Sequence, residues 1–166
     1  MESKINYPFI KDYLNELYPD HPKEIREIED FAHKNSVPIM ERESLEVLKY
    51  IIKIHKPKKI LELGTAIGYS AIIMASIDND IKITTMDRSE KFVSYAVENI
   101  KKFNLEDRIE IVFGEIDENL DKLSDTYDLI MFDAGKSHYS EYFDKTMRLI
   151  DNGGIIFSDN VLFKAL

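Results

Sequence analysis

A doubly wound α/β domain with a mostly parallel sheet, preceded by helices, is the fold this sequence predicts. Three observations carry that prediction: helical periodicity up to about residue 55, a change of period at residue 58, and short apolar strands alternating with helical segments from there on. The helical patterns cover 8–18, 22–35 and 42–55. In the third, Leu45, Val47, Leu48, Ile51, Ile52 and Ile54 make a strongly apolar face. Pro22 suits the first turn of a helix, where its missing N–H is no loss, whereas Pro38 and Pro57 interrupt helices near their ends. These helices are expected to form a cap, residues 1–56, of the same domain as the core, residues 57–166.

Within the core, 58–64 reads as a buried strand, and apolar strands recur at 82–87, 109–113, 127–133 and 154–158. Helices fill the gaps at 68–77, 89–103, 117–123 and 138–150. That alternation implies parallel strands joined by right-handed crossovers. Ligands of such sheets bind at the carboxyl ends of the strands, which makes the residues closing each strand the candidates for function.

Composition narrows the chemistry. A chain of 166 residues, 44% hydrophobic, can bury one sizeable core. No apolar run approaches the roughly 18 residues of a membrane span, and Glu2, Asn6 and Lys11 break any signal-peptide pattern, so a cytoplasmic protein is expected. Cysteine is absent, which excludes thiolate ligands and nucleophiles and leaves carboxylate, amide and imidazole groups for a metal, favouring a hard cation such as magnesium. The net charge of -9 repels polyanions at long range and counts against indiscriminate nucleic-acid binding. Lys53, Lys56, Lys58 and Lys59 form a local basic run, either a patch or a solvated helix end and turn.

The first strand closes on Glu62, Leu63 and Gly64, and Thr65, Ala66, Ile67, Gly68, Tyr69 and Ser70 lead into a helix. Gly64 and Gly68 let the backbone turn tightly and approach a ligand, but their spacing is neither that of a dinucleotide loop nor that of a phosphate loop. Asp87, about 20 residues further on, closes the second strand where an acid can accept both hydroxyls of a ribose, or cap the next helix. Glu62 could bind a ligand ammonium or only stabilise the loop; Ser70 could bind a carboxylate or merely lie in the helix's first turn. The fourth strand runs into Asp133 and the fifth into Asp159 and Asn160. If those strands are neighbours, three oxygen ligands converge at one edge, enough for a magnesium ion that keeps sites for water and substrate. An Asp after a strand is also a common turn former. Lys136 follows Asp133 closely enough to face the same pocket as a general base, or to be a surface lysine; His138 opens a helix and reads as a surface residue.

Leu61 to Ser70, with Asp87, Asp133, Lys136, Asp159 and Asn160, resembles the signature of the metal-dependent O-methyltransferases that include the catechol and caffeoyl-coenzyme A enzymes. The resemblance runs from about residue 36 to the end. It implies a Rossmann-like fold and S-adenosylmethionine as methyl donor. It further implies Asp87 as the ribose acid, Asp133, Asp159 and Asn160 as ligands of Mg2+ or another divalent cation, and Lys136 as the catalytic lysine, with Asp133 bordering both cofactor and chemistry. By the same resemblance Ile39 and Met40 lie over the methionyl part of the cofactor, although a hydrophobic staple at a helix entry explains them equally well. Val37 to Glu41, Pro57 to Glu62 and Asp159 to Lys164 are similar to the bacterial enzymes that convert 5-hydroxyuridine at the tRNA wobble position to 5-methoxyuridine, which implies tRNA as partner. A small catechol-like substrate, favoured by the acidic charge, and a cofactor-binding fragment without catalysis are the alternatives. The chain stops at Leu166, short of the further helix and closing hairpin that the resemblance implies. The apolar strand at 154–157 would then be an edge for a partner chain to cover, and a homodimer is the expected assembly.

Overall fold

The computed structural model describes residues 7–133 and 139–159. Three helices open it: α1 (Pro8–Leu17), α2 (Lys23–Lys34) and α3 (Arg42–His55). Ile25, Ile28 and Ala32 of α2, and Leu45, Leu48 and Ile52 of α3, are buried at the same three-then-four spacing, one inward stripe on each helix. Lys56 ends α3 in the left-handed conformation (φ 53°), its N–H bonded to the Ile52 carbonyl at 2.8 Å, and Pro57 bars any continuation.

Five parallel strands follow: β1 (Lys59–Leu63), β2 (Lys82–Asp87), β3 (Ile109–Phe113), β4 (Tyr127–Phe132) and β5 (Ile150–Ser158), in the spatial order β3-β2-β1-β4-β5. Helices α4 (Tyr69–Ile77), α5 (Glu90–Lys102), α6 (Ile116–Lys122) and α7 (Tyr139–Thr146) make the connections. The order reverses between β1 and β4, so the crevice of a doubly wound sheet opens at the carboxyl ends of those two strands. β1 is covered on both faces. Ile60 joins the cluster that contains the buried residues of α2, α3 and α4, whereas Leu61 and Leu63 join the cluster with Ile116, Leu120 and Leu149. Glu62, sharing the pleat of Ile60, therefore faces α3 and α4.

One boundary departs from the sequence pattern. The expected helix over 138–150 ends at Thr146, and the expected strand over 154–158 begins at Ile150. Tyr127 pairs with Ile150 but Leu129 with Ile155, so Asp151, Asn152, Gly153 and Gly154 are taken up in a bulge of β5, with Gly153 at φ 84°. A run of this composition reads as a turn, yet a bulge lets the same residues remain in the ladder. No described helix is long and apolar enough to cross a membrane.

Replacing Leu48, which is fully buried, by Ala is expected to lower the unfolding free energy by about 2–5 kcal/mol through lost burial and a residual cavity. Tyr50→Ala on the outward face, 68% exposed, is expected to change it by about 0.5 kcal/mol or less. Urea titrations of both variants check the assignment of faces.

Candidate active site

The loop between β1 and α4 turns away from the sheet at Gly64 (φ 112°), and Gly64 and Thr65 both donate their N–H groups to the Met86 carbonyl, at 2.9 and 3.1 Å. Gly68 (φ 80°) starts α4, and a Cβ there would lie 3.4 Å from the Ala96 Cβ of α5. Asp87 ties this loop to the end of β2: Oδ2 accepts the Ala66 N–H at 2.8 Å, and Oδ1 accepts the Ser89 N–H at 2.9 Å. The cap of α5 is Ser89, whose hydroxyl accepts the Phe92 N–H. Buried Asn99 donates to the Ile67 carbonyl at 2.9 Å, satisfying the loop from the α5 side. Ala96 and Asn99 were not marked by any motif. The signal that could have found Asn99 is an amide on the buried stripe of an amphipathic helix, which needs a partner.

Glu62 is completely buried. Ser70 donates its hydroxyl to Oε1 and Thr85 donates to Oε2, both at 2.5 Å, and the hydroxyls of Thr65 and Thr85 are 2.8 Å apart. Glu62 and Ser70, each a candidate ligand contact in the sequence, are thus bonded to one another. Burial pushes the Glu62 carboxyl up to about 8; the two hydroxyls pull it back, and the charges of Asp133 and Asp87 add to the rise.

At the other side of the crevice three strand ends are level. The Asp133 N–H donates to the Leu63 carbonyl at 2.9 Å, and the Asp159 N–H donates to the Phe132 carbonyl at 3.1 Å. Phe132 pairs with Ser158, so Asp133 and Asp159 are the first residues past a registered pair on neighbouring strands. Asp159 is buried, and its Oδ1 accepts the Ser44 hydroxyl at 2.8 Å. Two carboxylates leaving adjacent strands at one level are donors of the kind a hard divalent cation takes. Among the described residues no group of three or more His, Asp or Glu forms a metal site by itself. Asn160, Lys136 and His138 lie outside the described residues.

Met40 is buried and Ile39 half-buried; both line a cavity of about 340 Å³ with Glu29, Arg42 and Tyr69. Met40 also precedes the N-cap Glu41 and shares a cluster with Leu45 four positions into α3, the arrangement of a hydrophobic staple. In its lining, Tyr69 donates to Glu29 at 2.5 Å, and His21 is 2.7 Å from the same oxygen. Two lysines of the basic run are paired at the surface: Lys58 lies 2.9 Å from Asp80 and Lys59 lies 3.0 Å from Asp125.

A carboxyl at its ordinary value in the unfolded chain and raised to about 8 in the folded one binds more protons folded than unfolded. Its contribution to stability is complete below about pH 4.5 and is lost as pH rises toward 8. Glu62→Gln, which cannot ionise, is expected to flatten that decline. Denaturation at a series of pH values checks this, and identical slopes for both proteins would refute the assignment.

A family model described as O-methyltransferase matches residues 15–166. The caffeoyl-CoA O-methyltransferase of Stellaria longipes is 28% identical, aligned over 98% of this chain and 70% of its own length. Caffeoyl-CoA O-methyltransferase 2 of Populus trichocarpa is 30% identical, over 98% of this chain and 69% of its own. A solved structure from Staphylococcus aureus, assigned provisionally as a caffeoyl-CoA O-methyltransferase, superposes with a TM-score of 0.87 at 35% identity, covering 93% of this chain and 75% of that one. The SAH-bound methyltransferase of Podospora anserina superposes with a TM-score of 0.88 at 26% identity, covering 100% and 76%. With its Rossmann-like sheet and the loop between β1 and α4, the chain belongs to the S-adenosylmethionine-dependent O-methyltransferase family, of the caffeoyl-CoA O-methyltransferase type.

Proposed function

We propose that this chain methylates a hydroxyl oxygen that has a second oxygen beside it, on a small catechol-like molecule, with a divalent cation, magnesium first, held by Asp133, Asp159 and Asn160. The observation that carries this reading is the level ending of β1, β4 and β5, which brings Asp133 out beside the Gly64 loop and Asp159 out at the same level on the next strand. Held by those residues, such a cation would supply Lewis-acid chemistry that lowers the pKa of the substrate hydroxyl. The residues of the chain do the rest. Each Asp87 oxygen has accepted one backbone N–H and retains lone-pair capacity for the ribose hydroxyls. Glu62 and Ser70 receive the ammonium and carboxylate of the methyl donor, Gly64 allows its close approach, and Ile39 and Met40 cover its methionyl arm. Lys136 takes or directs the proton released by the hydroxyl. Most of the rate gain comes from holding the hydroxyl oxygen and the donated methyl at near-attack distance.

The relatives named for caffeoyl-CoA and the net charge of -9 favour a small substrate. A second reading, tRNA carrying 5-hydroxyuridine at the wobble position, is favoured by the likeness of Val37 to Glu41 and Asp159 to Lys164 to the bacterial tRNA enzymes. The hydroxyl and neighbouring carbonyl of that base offer the same pair of oxygens as a catechol. Incubation with labelled S-adenosylmethionine and either a catechol, caffeoyl-CoA or hypomodified tRNA decides between them: label in the small molecules alone supports the first reading, and label in tRNA alone overturns it. Binding of the methyl donor with no transfer to any acceptor supports a non-catalytic role.

EDTA is expected to abolish transfer and added Mg2+ to restore it, while Asp133→Ala reduces transfer to background at any Mg2+ concentration. Transfer that survives EDTA would overturn the cation assignment. A ligand carrying an ammonium and a sulfonium favours the ionised form of Glu62, so binding near pH 7 is expected to expel a proton. Calorimetry in buffers of different ionisation enthalpy reads that proton directly, and Glu62→Gln is expected to lose the buffer dependence.

A further inference from the structure

We propose that Ser44 is a positioning residue for the cation edge: its hydroxyl fixes the Asp159 carboxylate so that the group is presented to a divalent cation in one orientation. This rests on the cation reading above. Ser44 is the third residue of α3, 115 positions away from Asp159 in sequence, and its Oγ donates to Asp159 Oδ1 at 2.8 Å. A serine in the first turn of a helix commonly bonds to its own backbone; this one reaches across to the sheet.

Both ends of the contact are held. Leu45 and Leu48 are completely buried and Ile52 nearly so, which anchors α3 and with it the origin of the Ser44 side chain. On the other side, the Asp159 N–H is bonded to the Phe132 carbonyl, so its main chain is set by the sheet while the helix supplies a bond to its carboxylate. At 6% exposure Asp159 depends on protein donors more than on water to orient it. Partners of metal-binding carboxylates beyond the ligands themselves act in this way, and their removal typically weakens metal affinity about 10- to 100-fold. The N-terminal helices would thereby set the geometry of the cation edge.

The test is Mn2+ binding by the whole chain, followed by the loss of the free-ion signal in electron paramagnetic resonance. Ser44→Ala is expected to weaken Mn2+ binding about tenfold or more, with Ser44→Thr restoring it to within about twofold. The affinity for S-adenosylmethionine and the urea midpoint are expected to hold in both variants. A purely structural serine would move the urea midpoint and leave Mn2+ affinity alone. If the alanine variant does not fold, the near-isosteric pair Ser44→Thr and Ser44→Val decides, the first binding and the second not. Wild-type affinity in Ser44→Ala or Ser44→Val, with binding lost in Asp133→Ala, overturns this inference and leaves the cation reading standing. A wild-type chain that binds no Mn2+ overturns both.

Discussion

Two backbone hydrogen bonds, from Asp133 to the Leu63 carbonyl and from Asp159 to the Phe132 carbonyl, hold three strand ends at one height, and the site depends on that level. A slip of one residue in β4 would turn Asp133 to the other face and send Met131 and Phe132 to exchange clusters. Met131 and Phe132 are both almost completely buried, on opposite sides of the sheet, so such a slip is opposed by packing on both faces. The acids are positioned by hydrophobic burial that takes no part in the chemistry.

The opposite wall of the crevice is built from donors and acceptors. Asp87 clasps the β1–α4 loop through Ala66 and its own turn through Ser89, while Asn99 and the Met86 carbonyl hold the rest of the loop. Ala66 has a left-handed backbone (φ 43°), a conformation a non-glycine residue adopts at a cost of about 1 kcal/mol or more, and its N–H is the one that Asp87 accepts. The strain is located in the turn that, on the proposed reading, would face the methyl donor. A loop held this way is shaped before any ligand arrives, which lowers the ordering that binding would otherwise require.

The strand-helix alternation was legible because buried parallel strands are short continuous apolar runs, and Ile60, Leu61 and Leu63 or Leu129, Ile130 and Met131 are of that kind. The acids at strand ends were legible because the crevice of such a sheet lies at its carboxyl edge. What escaped was long-range. No pattern around Ser44 announces a partner 115 residues away, and Asn99 looks like an ordinary helix position until the Ile67 carbonyl is seen to need a donor. The β5 bulge escaped for a local reason: Asp151 to Gly154 has the composition of a turn, and only pairing with β4 decides that it is not one. Similarly, Glu62 and Ser70 read as separate groups in the sequence, but their mutual bond follows from the first turn of α4 packing over β1.

Glu62 is the place where fold stability and the proposed ligand chemistry oppose each other. A carboxyl with no exposure, facing a cluster of Leu and Ile side chains, is a poor choice for stability, because ionising it there lacks water and has only two hydroxyls in compensation. Asp133 and Asp87 make it worse, since each negative charge nearby raises the cost of another. That clustering of acids is unfavourable by itself and would become favourable once positive charge entered, whether as the ammonium and sulfonium of the methyl donor or as a divalent cation. Burial holds the Glu62 proton up to about 8, and the field of Asp133 and Asp87, which adds to that rise, is the field that would attract those ligands. A neutral residue at position 62 would be easier to bury, and it would remove the part of the attraction closest to β1.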